Sequence, residues 1–195
     1  MNTSDELISI VRRARERDVE ALEQLVDLYA ARLHGFVFRM TGRVDDAEEL
    51  VQEVFVRLVK SIHAYEEDGR FEAWLFRIAA NLVRDQARRG RRSPIVGHLD
   101  EGWNEEDGHH QDVRTPLLAA QDGPDRGLVL TEEITRLQTA LDTLPVEERE
   151  VVMLRHYTDL SFAEIAALMG TPLGTALARS HRGLAKLRKI MEVSP

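Results

Sequence analysis

The chain has no cysteine. Disulfides, thiolate zinc sites and thiol redox chemistry are therefore excluded, and the absence fits a reducing compartment. No apolar run approaches the roughly 18 residues that a membrane span requires, so no membrane insertion is expected. Strand-like alternation of apolar and polar residues is missing as well. The N-terminal MNTSDELISI lacks the basic region and long apolar core of a secretory signal. The cytoplasm is the expected location. His109-His110 stand alone, without cysteines or a helical pair of ligands, so no metal and no cofactor are expected. An enzyme would need carboxylates converging with histidine or metal ligands in a pocket. The acids of this chain fall on polar helix faces and in one loop-like stretch, so it does not read as an enzyme.

With 195 residues the chain has room for one domain or two small ones. Its net charge of −8 argues against nucleic acid only until it is mapped. From Ser93 to Glu133 there are ten acids and two arginines, a local balance equal to the whole net charge. From Arg77 to Arg92 there are six arginines against Asp85, and from Gly174 to Ile190 five Lys and Arg with no acid. Two basic patches flank an acidic middle.

Apolar residues at three- and four-residue steps predict helices throughout. A short one spans 5–16. Asp18 can cap a second that runs to Thr41, where Gly42 suits a left-handed end. Asp45 with Glu48 reads as a capping box opening a third. Its apolar positions are Ala47, Val51, Val54, Phe55, Leu58, Val59 and Ile62, and Glu48, Glu49, Gln52 and Glu53 fall elsewhere. A fourth repeats the period with Phe71, Trp74, Leu75, Ile78, Ala79 and Leu82, and carries Arg77, Asn81, Arg84 and Arg88 on its other side. An acidic and amide face followed by a basic one reads as an adaptor between a protein and a nucleic acid. Asn81 can read a base edge or pack between helices. Phe71 and Trp74 can stack on bases, although their spacing favours a core.

The pattern then collapses. Residues 93–127 are rich in Gly, Pro and acids and read as a flexible acidic linker, too long for an internal loop. It would serve as a solubilising tether or as a nucleic-acid mimic, with local docking by Ile95, Val96, Trp103, Leu117 and Leu118. A second helical unit, 128–195, follows. Pro145 sits where a helix can begin, with Glu147, Glu148 and Glu150 at its positive end. Ser161 and Glu164 form a capping box, Gly170-Thr171-Pro172 breaks the helix, and a basic helix begins near Leu173. A short helix, a glycine turn and a basic helix make a helix-turn-helix, whose second helix enters the major groove. The predicted fold is all-α, with small domains at 1–92 and 128–195.

Three stretches carry a family likeness. DDAEELVQEVFVRLVKSIHAY, FEAWLFRIAANLVRDQARR and LDTLPVEEREVVMLRHYTDLSFAEIAALMGTPLGTALARSHRGLAKLR closely resemble bacterial RNA polymerase sigma factors of the compact extracytoplasmic-function class. The likeness covers about 20–92 and 128–190, in the family's order. It implies a factor that binds core RNA polymerase, directs it to promoters and helps to separate the strands. Asp46, Glu49, Gln52 and Glu53 would then dock on the clamp helices of the largest polymerase subunit. A splayed base of the −10 element would be gripped by the loop His63–Arg70, with His63, Tyr65, Arg70, Arg77, Asn81, Arg84, Arg88 and Arg89 contacting DNA. Thr175, Arg179, Ser180, His181, Arg182 and Lys186 would read the −35 element as duplex. Many members are held by an anti-sigma protein, so such a partner is expected.

The last helix departs from the family pattern. The usual motif resembles G-T-V-K-S-R followed by an apolar residue, but here the sequence is Gly174-Thr175-Ala176-Leu177-Ala178-Arg179-Ser180. The missing apolar volume at 176 and 180 predicts a rotated or thinner packing face. It leaves Leu177 either as a partly exposed partner contact or as a sign of marginal stability. Three rival readings are a stand-alone helix-turn-helix regulator, a helical hydrolase and an adaptor that has lost DNA binding.

Overall fold

A computed structural model describes residues 3–66, 68–92 and 124–193, and among these every regular element is helical. They are α1 (Thr3–Arg15), α2 (Val19–Thr41), α3 (Val44–Ser61), a 3₁₀ turn (Ile62–Ala64), α4 (Phe71–Arg92), α5 (Pro124–Asp142), α6 (Val146–Tyr157), α7 (Phe162–Met169) and α8 (Leu173–Val193). The expectations for residues 93–123, including Ile95, Val96, Trp103, His109-His110 and the linker acids, lie outside the described residues.

Local signals set most helix ends. Asp18 is extended, and its carboxylate accepts from Ala21 N–H at 3.2 Å and from Arg13 Nε at 2.7 Å. One side chain thus caps α2 and ties α1 to it. Gly42, at φ 72°, closes α2 with its N–H on Phe38 O at 2.8 Å, a conformation that costs least without a Cβ. The capping box of α7 is complete: Ser161 Oγ accepts from Glu164 N–H, and Glu164 accepts from Ser161 N–H at 2.8 Å. The expected box at Asp45 does not form. Arg43 is the extended residue before α3 and gives no side-chain cap, so Asp45 lies inside the first turn. There its charge still suits the helix dipole. The second unit begins four residues earlier than the apolar pattern suggests, at Pro124, in keeping with the preference for proline in a first turn.

Helices α1–α4 pack around Leu25, Leu33, Phe36, Leu58, Leu75 and Phe76, all fully buried. Helices α5–α8 pack around Leu141, Leu154, Leu160 and Ile165. The two sets meet where α2 and α4 lie against α6, and one continuous core runs through both. The seam is aromatic. Tyr157 meets Phe36 edge-on at 5.6 Å and Phe76 at 5.8 Å, and Phe36 meets Phe76 at 5.4 Å. Polar links flank it. Arg32 donates to Tyr157 O at 3.2 Å, and Arg149 donates to Met40 O at 3.2 Å.

Candidate functional site

The polar surfaces singled out in the sequence fall in three places, on α3, on α4 with the loop before it, and on α8.

On α3, Glu49 and Gln52 are exposed, whereas Asp46 and Glu53 are half-buried and held by the helix's own arginines. Asp46 pairs with Arg43 at 3.4 Å and Glu53 with Arg57 at 2.9 Å. The sequence pattern placed Val59 in the core; instead Val56 is 43% and Val59 52% exposed, while Leu50 is buried. Glu49, Gln52, Val56 and Val59 therefore form one stripe that is polar at one end and apolar at the other. Val59 was placed in the core because it follows the apolar period almost as well as Leu58 does, whereas Val56 lies outside that period.

The loop before α4 is built on Asp68. Its Oδ1 accepts from Tyr65 OH and from Arg70 N–H, each at 3.0 Å, while Gly69 turns the chain at φ 76°. The loop covers a cleft of about 270 Å³ whose lining includes Tyr65, Arg70, Trp74 and Arg77. Phe71 is core, as its spacing suggests, but Trp74 is half-buried and faces both the core and the cleft. The Tyr65 ring is buried, 5.0 Å from Trp74 and 5.6 Å from Phe71, so it forms a wall of the cleft. His63, Arg77, Asn81, Arg88 and Arg89 are exposed, with Arg88 paired to Asp85. Exposure of Asn81 decides against its packing between helices.

Arg70, which is exposed, and Arg84, which is half-buried, are both already paired. Arg70 pairs with Glu164 at the start of α7. Arg84 Nε lies 2.6 Å from Glu150 of α6, and Arg84 Nη1 donates to Leu168 O at 2.9 Å. Burial pushes the Glu150 carboxyl up, against the pull of Arg84. Glu164 is pulled down to about 2, first by Arg70 and then by the Ser161 hydroxyl and N–H. These pairings join residues far apart in sequence and left no local signal.

On α8 the packed face is Ala176, Ser180, Gly183 and Leu187. Ser180 is only 5% exposed, which corrects its place among DNA-reading residues: it belongs to the face of α8 that packs on α6. The lost apolar volume is taken up by closeness. A Cβ on Gly183 would sit 3.0 Å from Val152 Cγ2 and 3.4 Å from Glu148 O. The face is thinner, as the small residues imply. Leu173, Leu177 and Leu184 remain exposed, as do His181, Arg182 and Lys186, while Thr175 and Arg179 are half-buried. Arg182 and Lys186 both reach back to the buried Glu148, at 3.0 and 2.9 Å. Burial raises the Glu148 carboxyl, but these two cations outweigh it and leave its pKa below the ordinary value. The sequence reading assigned Glu148 only to the helix dipole.

Among the described residues, no group of three or more His, Asp or Glu is placed to hold a metal, and no helix is long and apolar enough to cross a membrane.

Comparison with known proteins matches residues 25–93 to Sigma-70 region 2 and residues 134–187 to Sigma-70 region 4. The chain is 30% identical to the ECF RNA polymerase sigma factor SigW of Bacillus subtilis, over 92% of this chain and 93% of that one. It is 36% identical to the RNA polymerase sigma factor CarQ of Myxococcus xanthus, over 93% and 95%. The fold resembles that of the sigma factor RpoE of Bartonella quintana, solved with the anti-sigma factor NepR, at a TM-score of 0.61 and 23% identity, over 89% of this chain and 98% of that one.

Proposed function

We infer the work of each surface from one premise: the chain belongs to the sigma-70 family of RNA polymerase sigma factors, in the extracytoplasmic-function class. It is a transcription initiation factor that binds core RNA polymerase and directs it to promoters. The chemistry of RNA synthesis belongs to the polymerase, and this chain supplies recognition. It works in the cytoplasm, where core polymerase and promoters are.

The domain that contains α1–α4 docks on the polymerase clamp helices through Glu49 and Gln52, with Asp46 and Glu53 beside them. Val56 and Val59 add apolar contact. Carboxylate and amide groups on one helix face suit basic partners. The same domain reads the −10 element. The cleft between Tyr65, Trp74 and Arg77 takes an unstacked base, which needs both a ring to lie on and cations to hold the strand. Arg77, Arg88 and Arg89 contact phosphates, Asn81 reads a base edge, and His63 sits at the rim. Arg70 and Arg84 join them once released from α7 and α6.

The domain that contains α5–α8 reads the −35 duplex with Thr175, Arg179 and His181, while Arg182 and Lys186 meet the backbone beside Glu148. An anti-sigma partner holds the factor inactive. Support comes from the Bartonella quintana protein of similar fold, solved with NepR, from exposed Leu184 on a cleft of about 430 Å³ lined also by Leu137, Val152 and Met153, and from exposed Leu173 and Leu177 on the same helix.

The observation that carries this reading is the open Arg77–Asn81 stripe of α4 beside an aromatic cleft, inside a region 2 match. Run-off transcription with purified core polymerase tests it. The wild-type chain should give promoter-dependent product, Glu49→Lys with Gln52→Ala should lose polymerase binding, and Arg77→Ala with Asn81→Ala should bind polymerase but fail to open the promoter. Duplex binding without polymerase, or transcription without promoter preference, would favour the stand-alone regulator or the adaptor instead.

A further inference from the structure

Many arginines of the folded chain reach a carboxylate, Arg32, Arg57, Arg70 and Arg149 among them. Arg39 and Arg155 do not. Arg39 of α2 is half-buried and donates Nη1 to Gly35 O at 3.1 Å. Arg155 of α6 donates Nη1 to Leu160 O at 3.0 Å and lies over the Phe162 ring. Among the described residues neither pairs with an acid. Both line the cleft of about 430 Å³ where α2, α5, α6 and α8 come together, as does exposed His156, and no described carboxylate lines it. In a chain with 34 acids against 26 Lys and Arg, this is a local reversal of charge. Buried Val152 and Met153, with Leu137 and Leu184, supply an apolar lining beside the cations.

Two hydroxyl-bearing residues complete the lining. Ser180 is nine-tenths buried and Tyr157 half-buried, and among the described residues neither hydroxyl makes a hydrogen bond. A hydroxyl withdrawn from water without a protein partner is a donor in need of an acceptor. The Tyr157 and Arg39 groups also converge. The Cβ position of Gly35 lies 3.1 Å from Tyr157 Oη and 3.2 Å from Arg39 Nη1. We propose that this cleft binds a small amphipathic carboxylate, its head on Arg39 and the Tyr157 hydroxyl and its apolar body against Val152, Met153 and Leu184. Two oxygens suit one guanidinium edge and one hydroxyl, whereas a phosphate would leave acceptors unmet. An apolar body of about eight to ten carbons suits a cleft of this size. Ser180 leaves room that a larger side chain would fill, and its hydroxyl is a further donor. The site does not rest on the reading of α8 as a partner surface, since Leu173 and Leu177 lie outside the lining.

The test uses the full chain and sodium octanoate, with binding read by calorimetry and by methyl NMR. Octanoate should bind with a Kd of about 1 mM or tighter, an ordinary return for a ligand of about ten heavy atoms. The Met153 methyl should shift as it binds, and the methyl of Met169, which is outside the lining, should not. Octan-1-ol lacks the charge and acetate lacks the apolar body, so each should bind at least about tenfold more weakly. Arg39→Gln removes the charge and keeps a donor for Gly35 O. It should weaken octanoate by about tenfold or more, the range for a hydrogen bond to a charged group. Leu184→Glu alters an exposed position, so it leaves the core intact, and it should weaken octanoate at least as much. Unchanged melting temperatures in both variants would show that the losses are local. Equal binding of octan-1-ol and octanoate would make the cleft a seat for an apolar side chain of a partner and overturn the proposal. Undiminished octanoate affinity in both variants, or a Met153 methyl that stays still at saturation, would overturn it as well.

Discussion

A Cβ on Gly183 would press tightly on Val152, whose Cγ2 lies 3.0 Å from where it would be. Helices α6 and α8 cross this closely because Ala176, Ser180 and Gly183 present almost no bulk. Ordinarily, replacing a mid-helix glycine by alanine gains about 1 kcal/mol. Here the tight contact offsets that gain. Gly183→Leu should destabilise the chain by about 1–3 kcal/mol, the usual cost of overpacking. Gly183→Ala should change stability by no more than about 1 kcal/mol, because shifting the Val152 methyl offsets its helix-propensity gain. Urea unfolding of both variants checks this.

Arg149 is a buried guanidinium that binds three acceptors. Nη1 donates to Asp142 at 2.9 Å and to Met40 O at 3.2 Å, and Nη2 donates to Asp142 O at 3.2 Å. It thus pins the α5–α6 corner to the end of α2. Arg149→Met keeps volume but loses all three, and should cost about 2–3 kcal/mol, the range for hydrogen bonds to a charged group. Thermal denaturation should also show the two helical sets melting less cooperatively.

The acidic residues that pair with Arg70 and Arg84 respond to pH in opposite senses. Glu164, held down to about 2 chiefly by Arg70, gives stability that is full above its ordinary 4.5 and is lost as pH falls towards 2. Glu150 is raised by burial, so folding shifts its titration upward relative to the unfolded chain. Its contribution is full below 4.5 and declines as pH rises through the raised value. In wild-type unfolding free energies against pH, Glu164→Gln should flatten the acid limb, and Glu150→Gln should remove the decline above it. Arg70→Ala should bring the Glu164 titration back towards 4.5, read by carbon-detected NMR.

Leu177 is 44% exposed, and α8 does not need it for packing. Leu177→Lys should change stability by no more than about 0.5 kcal/mol, as for other surface positions. Set beside duplex DNA, the new lysine should steepen the salt dependence of binding by about one unit. A fall in melting temperature would return the exposed leucine to the core and contradict the close α6–α8 crossing.

What the sequence made legible was local. Asp18 and the Ser161–Glu164 pair carry their helix starts within four residues, and the apolar period picked out Phe71, Leu75 and Leu82 as core. Asp45 misled because the same cap signature lies within the first turn of a helix whose start is set by extended Arg43. Ala176 and Ser180 were read as missing volume because the helix they pack on, α6, is distant in the chain. The candidate residues of α4 were legible by charge and spacing. Their occupation by Glu150 and Glu164 was not, since ion pairing across folded units depends on how α2, α4 and α6 meet. The resemblance to sigma factors supplied roles, and the structure supplied which of those residues are open.

The ring seam of Phe36, Phe76 and Tyr157 has a thermal consequence. Parting the helical sets would wet these rings, and wetting apolar surface raises heat capacity. The free energy of opening must then be curved in temperature, and the seam weakens on cooling. Calorimetric titration of the chain into core polymerase at several temperatures should show this opening as a positive heat-capacity contribution, one that Tyr157→Ala reduces. How readily the factor engages polymerase would thus depend on growth temperature as well as on any partner, through three rings that touch neither DNA nor polymerase in the closed chain.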